Sequence, residues 1–143
     1  MPDHRPPRRY QRIGAYGICE DADARILLVR ASAQSNAPGQ WFLPGGGLDH
    51  GEDPEDGLRR ELVEETGLTV ADLSLLGVLS DVWPLPDGSV VHTVRIVYRI
   101  GAWEGELRDE AAGSSDHAEW VPRDEVSQLP VVDYVAEALR RFG

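Results

Sequence analysis

An α/β fold is the class this chain predicts, and three observations carry it. Apolar runs of strand length flank a well-delimited amphipathic helix in the middle of the chain, and a second helical stretch closes it. Periodicity by itself leaves α/β and α+β both open. At 143 residues one domain accounts for the chain. Residues 12–143 are expected to form it, with 1–11, rich in arginine and proline, as a flexible N-terminal arm.

In chain order, Ile13 to Cys19 and Ile26 to Arg30 read as strands joined across the polar turn at residues 20–24, a hairpin connection. Residues 32–40 have loop composition, and Trp41 to Leu43 is a short third strand. After the helix, Leu73 to Val82 and Val90 to Ile100 read as strands around residues 83–89, where Asp87-Gly88 is a strong hairpin-turn signal. Under period-two alternation Val90, Val94, Ile96, Tyr98 and Ile100 share the apolar face of the longer strand, with Thr93, Arg95 and Arg99 on the other. His117 to Val121 is a last strand. Asp124 to Leu129 and Val132 to Phe142 have helical spacing.

The central helix is marked by its own chemistry. Asp53 suits the N-cap, Pro54 the first helical position, and Gly67 a left-handed stop, so the helix should run from Pro54 to Thr66. Leu58 and Leu62 form its apolar stripe. Glu61, Glu64 and Glu65 lie beside that stripe, three and four residues apart and therefore on neighbouring positions of the surface. Three mutually repelling carboxylates at a core edge call for a cation. Gly57, on the same side, either leaves space for metal or phosphate or serves ordinary close packing; an interior glycine costs about 1 kcal/mol relative to alanine.

Residues 46–68, GGLDHGEDPEDGLRRELVEETGL, resemble the Nudix box, G-x5-E-x7-R-E-U-x-E-E-x-G-U with U a bulky aliphatic residue. Gly46, Glu52, Arg60, Glu61, Leu62, Glu64, Glu65, Gly67 and Leu68 fill its nine fixed positions, a far more specific match than a lone glycine motif. The approach Trp41-Phe42-Leu43-Pro44-Gly45 is also similar to the strand and turn that lead into such boxes.

The resemblance implies a Nudix-type α/β/α sandwich, with a mixed central sheet and the box as a loop-helix-loop. It also implies metal-dependent hydrolysis of a pyrophosphate bond with Mg2+ or Mn2+ as cofactor. By that analogy Glu61, Glu64 and Glu65 are metal ligands, and the Gly45 carbonyl can complete the coordination. Glu61 is a ligand or the general base, while Arg60 and Glu52 form a supporting catalytic pair. Some family members recruit a base from a distal loop; Glu110, Asp116 and Glu119 lie in that region, and Asp116 is the expected one.

Charge agrees with a phosphate substrate delivered on metal. The chain carries 14 basic and 25 acidic residues, a net charge of −11, which argues against a nucleic-acid partner. Eight acids against two arginines fall within residues 46–68, where an unescorted phosphate would be repelled. A single cysteine, Cys19, leaves no intrachain disulfide, and no apolar run approaches the ~18 residues of a membrane span. These features predict a soluble, cytoplasmic protein with no membrane partner.

Candidates for contact with the rest of the substrate are Trp83, Arg95, Tyr98 and Asp116; the alternative for Trp83 and Tyr98 is a core aromatic and for Arg95 a solvated arginine. The loop at residues 80–89 partly resembles a signature of dinucleotide-cleaving Nudix enzymes, with substitutions and an extra residue. Nucleoside triphosphates, oxidised forms included, and nucleotide sugars such as ADP-ribose are the expected substrates. A nucleotide sensor without turnover is the alternative, and the apolar C-terminal helix leaves room for a homodimer.

Overall fold

The computed structural model describes residues 6–143; the first five residues of the expected arm, Arg5 among them, lie outside the described residues. Seven strands and two α-helices follow as β1 (Arg9–Ile18), β2 (Arg25–Ala31), β3 (Trp41–Phe42), β4 (Gly45–Gly47), α1 (Pro54–Thr66), β5 (Thr69–Pro84), β6 (Val90–Glu104), β7 (Ser115–Pro122) and α2 (Asp133–Phe142). The second expected helix is a 3-10 turn, Arg123–Gln128. Residues 9–11, expected in the arm, are paired in β1 against Val90 to His92.

Two sheets form, ordered β4-β1-β6-β5 and β3-β2-β7. The first is mixed, because β1 runs parallel to β6 while β4 and β5 pair antiparallel. The expected β1–β2 hairpin is only a beginning: Leu27 N–H donates to the Cys19 carbonyl at 2.9 Å, and then the two strands part into different sheets. The β5–β6 connection is the tight turn expected at Asp87-Gly88, closed by Leu85 N–H to Ser89 O at 2.7 Å with Gly88 at φ 86°.

Neighbouring strand residues feed two cores on opposite faces. Tyr16, Ile18, Ile26, Leu28 and Val97 pack with Tyr134, Val135 and Ala138 of α2, whereas Ala15, Leu27, Val29, Tyr98 and Ile100 pack with Leu58 and Leu62 of α1. This corrects the reading of β6. Its supposed polar face is buried through Val91, Thr93, Arg95 and Val97, while Val94 and Ile96 on the other face are only partly covered. With a helix on each side, alternation sorts residues between two cores and no longer between core and solvent. Among the described residues no helix is long and apolar enough to cross a membrane.

Candidate active site

The site is assembled on α1 and the edge strand β4. Asp53 Oδ1 accepts from Glu55 N–H at 2.9 Å and caps the helix; Gly67, at φ 79°, turns its N–H onto Leu62 O and Val63 O. With the helix ends fixed and Leu58 and Leu62 fully buried, the rotation of α1 is set. It carries Glu65 inward, Glu61 to a half-buried position and Glu64 to the exposed side.

Glu65 is 1% exposed, and its Oε1 accepts from Gly45 N–H at 2.8 Å. Burial pushes its carboxyl well above the usual range, and Glu61 and Glu110 push the same way; the Gly45 bond opposes them. Glu61 is raised too, first by burial, with the Arg60 guanidinium working against it and Glu64 and Glu110 with it. Gly46 makes this packing possible, since a Cβ there would fall 2.8 Å from Glu61 Oε1.

Arg60 organises the acids. Its Nε and Nη2 donate to Glu52 Oε2 and Oε1, both at 2.9 Å, and its Nη1 reaches Glu61 Oε1 at 3.2 Å and Glu64 Oε2 at 3.4 Å. The two hydrogen bonds from Arg60, aided by Asp49 N–H, hold the Glu52 carboxyl down at about 2. As the side chains stand, among the described residues no three acids converge closely enough to clasp an ion. Arg60 Nη1 holds both Glu61 and Glu64 by hydrogen bonds.

A family model described as the NUDIX domain matches residues 10–142. The chain belongs to this family. The MutT NUDIX hydrolase of Burkholderia pseudomallei, a solved structure, superposes with a TM-score of 0.78 at 29% identity, covering 93% of this chain and 98% of that one. An ADP-ribose pyrophosphatase of Methanocaldococcus jannaschii is 38% identical over 115 residues, 79% of this chain and 63% of the relative. An 8-oxo-dGTP diphosphatase of Escherichia coli is 34% identical over 92 residues, 64% of this chain and 67% of the relative. Relatives differ in length: one from Mycobacterium tuberculosis is matched over only 47% of its own chain.

Away from the Nudix box the expected contacts are rearranged. Asp116 is turned from the acids and pairs with Arg30 Nε at 2.7 Å on an exposed part of β7. Glu110 is the loop carboxylate whose charge adds to the rise of Glu61 and Glu65, and it is held by Ser115 N–H at 3.2 Å and Ser115 Oγ at 3.0 Å. Nothing in the local sequence separates the two, because the fold of residues 105–114 decides which one turns inward. Tyr98 is buried in the α1-side core and is no exposed stacking platform. Trp83 lies in β5 rather than in a loop, with its Nε1 donating to Thr93 Oγ1 at 3.0 Å. Arg95, read as a contact to substrate phosphates or else a solvated arginine, is 9% exposed and bonded to Asp81. Gly57 resolves toward packing, since a Cβ would meet Leu48 Cδ2 at 2.5 Å and Glu52 Oε1 at 3.0 Å.

Proposed function

We propose that this chain hydrolyses the pyrophosphate bond of a nucleoside diphosphate linked to another group, with Mg2+ or Mn2+ as cofactor. The observation that carries the reading is Glu65, a buried carboxylate on which the charges of Glu61 and Glu110 act while the nearby guanidinium of Arg60 is committed to Glu52 in two bonds. Hard oxygen donors at a buried, negatively polarised point fit a small divalent cation and not a soft metal. Glu61, Glu64, Glu65 and the Gly45 carbonyl would hold it. When bound, such an ion neutralises phosphate oxygens and acidifies a water.

The protein groups supply the rest. Arg60, anchored by Glu52, sets the positions of Glu61 and Glu64 and opposes the burial that raises the Glu61 carboxyl. Glu61 or Glu110 accepts the proton of the attacking water; Glu110 takes the place that the sequence reading gave to Asp116. The products are a nucleotide and a phosphorylated fragment or pyrophosphate. Relatives named for 8-oxo-dGTP and for ADP-ribose support nucleoside triphosphates and nucleotide sugars as the first substrates to try.

The test is incubation with Mg2+ and a panel of nucleoside triphosphates, oxidised guanine nucleotides and nucleotide sugars, with product analysis. Cleavage of at least one compound, lost on chelation, is the expected result. Tight binding of the panel with no turnover would replace this reading by that of a nucleotide sensor.

A further inference from the structure

Two buried serines fasten the loop that carries Glu110. Ser115, the first residue of β7, is 2% exposed, and Ser32, which follows β2, is 8% exposed. Ser115 N–H and Ser115 Oγ donate to the same carboxylate oxygen, Glu110 Oε1, at 3.2 and 3.0 Å. Ser32 grips the far side of the turn: its N–H donates to Ser114 O at 2.8 Å and its Oγ to Gly113 O at 2.7 Å. A hydroxyl is costly to bury unless its bond is made, and both hydroxyls donate into this one loop.

The turn itself leaves little slack. A Cβ at position 113 would fall 2.5 Å from Glu110 Oε1, so a side chain there would push the carboxylate off Ser115. The other end of the loop is tied to α1. Arg108 N–H donates to Thr66 O at 2.8 Å and Arg108 Nη2 to Val63 O at 3.2 Å, carbonyls of the last turn of α1, which also carries Glu64 and Glu65. Asp109 accepts from Ala118 N–H at 3.1 Å and pairs with His117 Nδ1 at 3.0 Å. With the backbone fixed on both sides, the freedom left to Glu110 is rotation of its side chain, and Ser115 removes it.

We infer that Ser115 is the positioning residue of Glu110 and that Ser32 keeps its turn closed, so that Glu110, and not Glu61, takes the proton of the attacking water. The inference rests on the hydrolase reading above. Glu61 shares Oε1 with the Arg60 guanidinium and belongs to the set assigned to the cation. Glu110 is held by two neutral donors on Oε1, and its Oε2 accepts no hydrogen bond among the described residues. One oxygen locates the group and the other is left to work. In the step, the water O–H bond breaks as its oxygen bonds to phosphorus and the proton goes to Oε2. The bridging P–O bond breaks with its electron pair kept by the departing phosphate.

The experiment is a double-mutant cycle. Ser115→Ala and Ser32→Ala are each made in the parent and in Glu110→Gln, and kcat and KM are measured with Mg2+ on the panel compound that the parent cleaves fastest. Melting temperatures show that each variant folds; where Ser115→Ala melts below the assay temperature, Ser32→Ala, which leaves Ser115 in place, carries the same comparison. In the parent, Ser115→Ala should lower kcat about tenfold with KM within about twofold, since Ser115 N–H remains and the carboxylate shifts by less than the ångström that costs about a hundredfold. Ser32→Ala should lower kcat in the same direction. In Glu110→Gln neither change should lower kcat further by more than about twofold. Equal losses in both backgrounds mean that the serines serve the fold at large, and they overturn the proposal. Full kcat in Ser115→Ala or in Glu110→Gln overturns it as well. Any of these results with an active parent sinks this inference alone, whereas a parent that cleaves no compound sinks the hydrolase reading and this inference with it.

Discussion

Arg60 meets Glu52 through two parallel hydrogen bonds of 2.9 Å, Nε to Oε2 and Nη2 to Oε1, across eight residues of chain. The remaining Nη1 is thereby aimed at Glu61 and Glu64. A lysine can hold the charge but not the fork. Arg60→Lys is therefore expected to lower kcat by about a hundredfold, the scale of an ångström's misplacement of a catalytic group, with the fold intact by circular dichroism. Steady-state turnover within threefold of the parent would remove Arg60 from its positioning role.

Glu65 suffers most from the packing of the acids. It is buried, the charges of Glu61 and Glu110 act on it, and it accepts a hydrogen bond from Gly45 N–H. Glu65→Gln keeps the oxygen that accepts this bond while removing the charge. The metal-free variant should melt several degrees above the parent, on the order of 1–3 kcal/mol for relieving an ill-solvated buried group. Its gain in melting temperature on adding Mg2+ should vanish, and turnover should fall at least about a hundredfold. A variant that melts lower without metal and keeps its Mg2+ response contradicts the assignment of Glu65 as a ligand.

How much of this was legible in the chain follows from how local each signal is. The limits of α1 could be read residue by residue, because Asp53, Pro54 and Gly67 act on the helix's own backbone. The closeness of the three glutamates along the helix could be read for the same reason, although not that Glu65 would turn inward and Glu64 outward. The arrangement of β6 was not legible, since Thr93 and Arg95 look solvent-facing until α2 covers that side with Tyr134. Gly57 was ambiguous because its neighbour Leu48 comes from the preceding loop. The choice between Asp116 and Glu110 depends on the path of residues 105–114, and no spacing rule encodes that path.

Glu110 and Asp116 give opposite expectations although six residues separate them. Glu110 adds to the field on Glu61 and Glu65, while Asp116 spends its charge on Arg30 at the surface. Glu110→Gln should lower kcat by about 10²–10⁴, the usual range for losing a group that moves a proton, with KM little changed. Asp116→Asn should leave both within twofold, as is usual for exposed ion pairs. The reverse ranking in steady-state kinetics would restore Asp116 as the loop carboxylate.

Stability at alkaline pH offers an independent check on the α1-side core. Burial, assisted by Asp21, pushes the Cys19 thiol from the usual 9.0 to about 12. In that interval the folded chain keeps a proton which the unfolded chain releases, so the unfolded state binds fewer protons and stability falls as pH rises. Below pH 9 both states hold the proton and the contribution is flat. Tyr134, its hydroxyl buried and likewise raised, adds a loss of the same sign at higher pH, so the share of Cys19 is best read between pH 9 and 10. Urea midpoints should decline across that unit in the parent and decline less in Cys19→Ala, whose lost packing lowers the midpoint equally at every pH. Parallel curves for the two proteins would mean that the thiol titrates at its ordinary value and that the strand end at Cys19 is open to water.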